Sequence, residues 1–236
     1  MSIKNRVPEL KNPNIVVRLA TTAEEINQAN TLICQNYLAV GLFDDEAAFW
    51  GNKYVHSPAR VPIVAINDKQ VVGTVSIIKD SNKGLPADNF QAPVMKQLRK
   101  GGETLAESSA LSVDASQDQH SLVLFLLKFM FQYGFYYGGI DRFLATVVPK
   151  HSLFYRNIFK FQKLSDPSSY NYVKLNVQLL TLGFQQAHED LYNYYGKDRE
   201  SNFYRFIMID DHPALQLPSE DALCRPKDAR WSRNAA

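Results

Sequence analysis

A strand-like stretch, a short polar turn and a long apolar helix follow one another between Glu103 and Gly138, and this succession constrains the fold more than any other feature. The first part, ETLAESSALSVD, has strand character with a carboxylate, Glu107, in its middle. Counting by two from Glu107 reaches Ser109, Leu111 and Val113, so a regular strand sets the acid on an apolar-leaning face. A β-bulge inside the stretch would reverse that parity. The last part, SLVLFLLKFMFQYGFYYG, is too long and too apolar for a strand. Its polar positions Ser121, Lys128 and Gln132 fall on one narrow helical stripe, which predicts a helix buried on most sides and packed on the strand before it. The turn between them, Ala115 to His120, opens that helix and aims free backbone N–H groups outward. Two readings follow: a site that holds a phosphate beside a base, or a buried strand and helix joined by an ordinary turn.

With 236 residues the chain has room for one large domain, or for one domain with appendages. An apolar fraction of 45% suits a globular core and excludes disorder of the whole chain. The net charge of +2 gives no field that would imply nucleic acid as a partner. Cys34 and Cys224 are the only cysteines and lack C-x-x-C spacing, so neither a zinc site nor a disulfide framework is expected, and a reduced, cytoplasmic setting is. Residues 1–14 lack the apolar core of a secretory signal. The helix at 122–137 is interrupted by Lys128 and Gln132, short of the roughly 20 apolar residues of a membrane span.

Along the chain, residues 1–14 form an expected flexible arm, 15–209 the body and 210–236 a tail or wrap. IVVRLA (15–20) is a short strand. Thr21 and Thr22, each three residues before a glutamate, start a helix that stops near Gly41. FDDEAAFW (43–50) is a short second helix capped by Asp44 or Asp45. VPIVAI (61–66) and QVVGTVSIIKD (70–80) form a hairpin turning at Asn67-Asp68. A helix from Phe90 to Arg99 closes at Gly101-Gly102. After the central strand and helix come a strand at 140–149, a helix at roughly 151–162 and an alternating strand at 170–180. GFQQAHEDLYNYYG and the segment around FYRFIMI add helix. The order describes a mixed α/β domain, with antiparallel strands first and a βαβ-like half after.

That order resembles the GNAT acyltransferase fold, a mixed central sheet with helices on both faces. Gly84-Leu85-Pro86-Ala87-Asp88, Leu98-Arg99 before a glycine, Leu105-Ala106-Glu107-x-Ser109, Pro149-x-His151 and Phe154-Tyr155-Arg156 resemble the long-chain N-acyl amino acid synthases of the FeeM type, the N-acyltyrosine synthases. The likeness spans roughly Ile15 to Leu180. It implies an enzyme that moves a long-chain fatty acyl group from acyl carrier protein to the α-amine of an amino acid. The glycine-rich coenzyme A loop of ordinary GNAT proteins is absent, because SVDASQDQHS contains no glycine. Such a loop lets backbone approach a pyrophosphate. Its loss suits a donor with one phosphodiester, the 4′-phosphopantetheine of acyl carrier protein, and no permanently bound cofactor. Acyl-homoserine-lactone synthases, which use S-adenosylmethionine, share this strand but place Arg soon after Glu-Ser, where Ser109 and Ala110 stand here. A catalytically silent GNAT-fold binding module is the remaining alternative.

Amide synthesis from a thioester needs a base, a stabilised carbonyl oxygen and a proton for the leaving thiolate. Glu107 on an apolar face, with a raised pKa, is the expected base; its bland alternative is a strand Glu paired with an Arg. Backbone N–H groups of a splayed strand at Ser109, Leu111 and Val113 would hold the donor's carbonyl. By resemblance, Tyr155 faces the sulfur as acid; otherwise it is core packing. Ser116, Gln117 and His120 would meet the pantetheine phosphate. Ser108, Asp44 and His151 are candidates for the acceptor, the last two also for helix caps. Arg156, Lys160 and Lys163 make one basic helical stripe that would dock acidic acyl carrier protein.

Overall fold

The computed structural model of the chain describes residues 7–170, 173–195 and 203–225. Residues 1–6 of the expected arm, positions 171–172 of the expected strand at 170–180 and residues 226–236 of the expected tail lie outside the described residues.

Strand β1 (Val16–Leu19) leads into helix α1 (Ala23–Ala39), started by Thr22, whose hydroxyl accepts the Glu25 N–H at 3.2 Å. The chain turns away at Gly41, φ +72°, a conformation that favours glycine. Of the two candidate caps for α2 (Glu46–Trp50), Asp45 accepts the Ala48 N–H at 2.8 Å. Strands β2 (Arg60–Asn67) and β3 (Gln70–Lys79) form the hairpin. Its turn lies one residue later than expected, at Asp68 and Lys69, both with positive φ as a type I′ turn requires.

Helix α3 (Asp88–Arg99) precedes the central strand β4 (Leu105–Val113), and α4 (Gln119–Gln132) follows it. The rest of the expected helix, Tyr133–Tyr137, is a π-helical turn. Gly134 permits it, because a Cβ there would meet Phe143 Cζ at 2.6 Å. The chain continues through β5 (Arg142–Val147), α5 (Pro149–Phe159), β6 (Gln162–Lys163), β7 (Ser168–Tyr170), β8 (Val173–Gly183), α6 (Phe184–Tyr195), a second π turn at Arg205–Ile209 and β9 (Leu215–Gln216).

The sheet runs β6-β8-β5-β4-β3-β2-β1-β9, with β7 pairing β8 off this path. Its first half is antiparallel, and β4 and β5 are the parallel pair that α4 connects. Helix α4 covers one face, where Leu126, Phe125 and Phe129 pack with Ile63, Val75 and Ile77. Helices α1 and α3 lie against the other, over Ile78, Leu105 and Leu144. The chain past Asp210 wraps back: β9 pairs in parallel with β1, and the Cys224 and Arg225 N–H groups donate to Tyr136 O at 2.8 and 3.1 Å. Among the described residues, no helix is long and apolar enough to cross a membrane.

Candidate active site

Pairing between the parallel strands β4 and β5 begins at Leu105–Arg142 and ends at Ser108–Ala145, while β4 runs on to Val113 and β5 to Val147. Past Ser108 the two strands diverge, so the edge of β4 that faced β5 is released from its partner. At the same point β4 bulges. Ser109 lies opposite Ser76 of β3, but Ser112 lies opposite Thr74, so three residues answer two, and Ala110 takes φ +57°. The bulge corrects the parity expected from the sequence. Glu107 faces α3, but Val113 packs on the α4 side with Ala106, and Ser112 turns toward α1 to take a 2.6 Å hydrogen bond from Asn36.

Glu107 sits at the root of this fork and is only 1% exposed. One carboxylate oxygen accepts from the Thr146 hydroxyl at 2.6 Å and the other from the Ala87 N–H at 2.8 Å. Burial pushes its pKa up to about 7, against the pull of these two donors. Among the described residues no arginine is paired with it, so there it is not the strand Glu–Arg pair that the sequence left open. A carboxyl group poised there exchanges a proton near neutral pH.

The loop that supplies Ala87 is held from three sides. Asp88 accepts the Leu85 N–H at 2.7 Å, and Gly84, at φ +71°, leaves room for it, since a Cβ would meet Asp88 Oδ2 at 2.8 Å. Arg99 then forks onto both Asp88 and Asp80, with four contacts of 2.6 to 2.9 Å. The Gly-Leu-Pro-Ala-Asp loop and the distant Leu-Arg pair are thus one device that presents a backbone N–H to Glu107.

Tyr155 is buried, and burial together with the neighbouring Tyr37 raises its pKa well above the ordinary phenol value. It remains a neutral O–H donor at any ordinary pH. Ser108, by contrast, lies opposite Ile77 and Ala145 and shares their α4-side face, away from Glu107. Asp44 is at the surface in an ion pair with Lys174. His151 is exposed and caps nothing: the cap of α5 is Val148, without a side-chain hydrogen bond, and Pro149 fills the first helical position.

In the turn before α4, Ser116 and His120 are exposed and Gln117 half-buried. The Gln119, His120 and Ser121 N–H groups precede the first intrahelical bond, from Leu122 N–H to Asp118 O. Two carboxylates stand beside them. The Ser116 N–H holds Asp114 below the usual carboxylate range. Burial raises Asp118, but bonds from Ser121 and Lys11 outweigh it and lower its pKa. Lys11, from the N-terminal segment, and this turn line a cleft of about 390 Å³ together with Leu10, Asn12 and Leu122.

The expected basic stripe is not a stripe. Helix α5 ends at Phe159, and Lys160 takes φ +64° as its C-cap. Lys160 lies over the Tyr194 ring, and Lys163, in β6, pairs with Asp166 at 2.5 Å. Arg156 stays exposed on α5. The residues that sequence reasoning missed are Thr146 and the Ala87 N–H. Thr146 reaches Glu107 through the parallel register, and a backbone donor leaves no residue signature.

Residues 28–183 match the family described as N-acyl amino acid synthase FeeM. The solved structure of FeeM, an N-acyl amino acid synthase from uncultured soil microbes, superposes with a TM-score of 0.68 at 24% identity, over 75% of this chain and 95% of that one. The structure of a CoA-dependent acyl-homoserine lactone synthase, BjaI, with SAM and isopentyl-CoA superposes with a TM-score of 0.52 at 14% identity, over 88% and 96%. Both likenesses show a shared fold, the GNAT acyltransferase fold that the element order implied. A search of curated protein sequences finds no match.

Proposed function

The chain belongs to the FeeM family of N-acyl amino acid synthases and is an N-acyltransferase of that family; from this premise we propose that it joins a long-chain fatty acyl group, delivered on acyl carrier protein, to the α-amine of an amino acid. The buried Glu107 at the fork of β4 and β5 carries the reading. Its carboxylate takes a proton from the acceptor's ammonium group, and the freed amine attacks the thioester carbonyl. Backbone N–H groups along the released edge of β4, from Ser109 onward, stabilise the oxygen as it gains charge. The nitrogen's second proton passes to Tyr155 as the C–S bond breaks and Tyr155 gives its own proton to the departing thiolate, so the phenol ends neutral. The Glu107 proton returns to solvent.

The turn before α4 supports a carrier-bound donor. It has no glycine, and Asp114 and Asp118 make it a poor bed for the pyrophosphate of coenzyme A. The N–H groups of Gln119, His120 and Ser121, with the Ser116, Gln117 and His120 side chains nearby, are enough for a single phosphodiester. Arg156 is the exposed member of the three basic residues and the docking candidate for an acidic carrier. The test combines purified protein, long-chain acyl carrier protein and pooled amino acids, with products identified by mass spectrometry. One N-acyl amino acid is the expected product. Turnover with acyl-CoA and some other amine, and none with the carrier, would overturn the donor and acceptor together.

A further inference from the structure

Arg60 heads β2 and turns its guanidinium into the space between the sheet, α1 and the loop after α2. Nε donates to Ser76 Oγ at 2.8 Å, and Nη1 donates to Asn30 Oδ1 at 2.7 Å and Val55 O at 2.9 Å. Nη2 is buried and has no hydrogen-bond partner among the described residues. None of the ion pairs among those residues includes Arg60. A half-buried guanidinium whose Nη2 is shut off from water, without a counter-ion or a hydrogen bond there, is costly unless an anion completes it. Burial lowers its pKa to about 10, opposed by Tyr37, so it stays cationic at neutral pH.

The sheet register relates this cation to the base. Arg60 lies opposite Ile78, and Ile78 opposite Glu107, so all three share one face and one row. Two strand spacings put the Arg60 and Glu107 backbones roughly 10 Å apart. Both side chains lean toward the same end of the sheet. Arg60 reaches Ser76, which is level with Ser109, and Glu107 reaches Thr146, one residue past the Ser108–Ala145 pair. The unpartnered Nη2 and the carboxylate therefore both stand beside the point where β4 bulges and leaves β5. An α-amino acid separates its nitrogen from its carboxylate oxygens by about 3 Å. A hydrogen bond of about 2.9 Å at each end extends this to about 9 Å, a reach suited to bridging two side chains that lean the same way from one row.

We propose that Arg60 binds the α-carboxylate of the acceptor through Nη2 and so turns its amine toward Glu107. This rests on the amino-acid reading given above and adds to it a reason for choosing amino acids over other amines. The carboxylate takes the place of the packing that closes over Nη2. A planar fork suits a carboxylate better than an ammonium does, which accounts for Arg at this position.

The experiment compares wild type, Arg60→Gln and Arg60→Lys on each standard L-amino acid and on its carboxamide, with the same acyl donor. For wild type the carboxylate form is the better acceptor. In Arg60→Gln its KM rises about 100-fold while the KM for the carboxamide and for the acyl donor holds, and Arg60→Lys recovers part of the loss. Equal losses on both acceptor forms in both variants would mean that Arg60 only ties β2 to α1, and would overturn the proposal. Failure of wild type to acylate any amino acid would sink the parent reading. The proposal is then decided by thermal shift: a melting temperature raised by the amino acids, but not by their carboxamides, in wild type and not in Arg60→Gln upholds the carboxylate site, and no shift in wild type removes it.

Discussion

Thr146 Oγ donates to Glu107 Oε1 at 2.6 Å across the place where their two strands stop pairing. The bond runs from the Glu107–Leu144 rung, one before the last of the parallel ladder, to the first residue of β5 beyond it. It fixes the carboxylate at the mouth of the fork, where a reacting amine has to stand, and leaves the base under two opposed influences. Burial raises its pKa, and the hydroxyl and the Ala87 N–H restrain that rise.

Glu107→Gln keeps the shape of the side chain and the chance to bond both Ala87 and Thr146, but it cannot accept a proton. The expected outcome is a folded protein whose kcat falls by about 10²- to 10⁴-fold, the usual contribution of a general base. Steady-state acylation kinetics, with circular dichroism to confirm the fold, check this. A variant with undiminished kcat would remove Glu107 from the chemistry.

The pH profile carries the same assignment. The base works ionised, so kcat/KM rises with pH through an inflection near 7. Stability runs the other way. Between the ordinary 4.5 and about 7, the folded chain holds a proton on Glu107 that the unfolded chain releases. The stabilisation from this group is complete below 4.5 and is lost as pH rises through 7. Glu107→Gln lacks that loss and should gain about 3 kcal/mol over wild type above pH 7, relative to their difference below pH 4.5. Urea titrations at pH 4 and pH 8 measure both ends.

Arg99 touches neither the carboxylate nor the fork, yet it grips the two aspartates that hold the Ala87 loop. Lysine cannot serve both carboxylates with paired bonds. Arg99→Lys is expected to loosen the Ala87 N–H, raise the pKa of Glu107 and move the kcat/KM inflection to higher pH, while the rate plateau at alkaline pH stays near wild type. A uniform drop at every pH, with the inflection unmoved, would assign Arg99 to stability alone.

Much of the fold was legible because local chemistry and tertiary placement agreed. Thr22 and Gly41 bound α1, Asp45 caps α2, and alternation marks the hairpin. What escaped has physical causes. Ala110 makes its bulge at positive φ without a glycine to announce it, so the parity count failed one residue past Ser109. Lys160 ends α5 in the same left-handed conformation, again without glycine, and an apparent helical stripe dissolved. Strands β6, β7 and β9, of two or three residues each, are too short to show a period. In the site, Glu107 and the motif residues around Asp88 and Arg99 could be singled out from the chain. Thr146, Ala87 and Arg60 could not, because only strand register and loop closure bring them to the same face.

Lys128 shows the same limit from the side of stability. As one of three polar positions on an apolar helix it could have marked a solvated stripe, but it is fully buried, and Gln132 beside it is 1% exposed. Its ammonium group donates to the carbonyls of Phe206 and Asp210 at the end of the second π turn, and Gln132 adds a 3.1 Å bond to Asp210 O. These carbonyls are the ones a helical end leaves without intrahelical partners, and a cation there also meets the favourable end of the turn's dipole. The segment tied down in this way leads into β9, so Lys128 anchors the wrap to the core helix. Lys128→Met keeps the length and the apolar stem but takes the ammonium from the Phe206 carbonyl and leaves Asp210 O with Gln132 alone. It should destabilise the fold by about 3 kcal/mol and expose the 205–216 segment to faster amide exchange before the sheet around Glu107 is affected. Chemical denaturation and hydrogen exchange read the two effects separately. If exchange quickened equally in β4 and in the wrap, or in neither, Lys128 would not be the anchor of that segment.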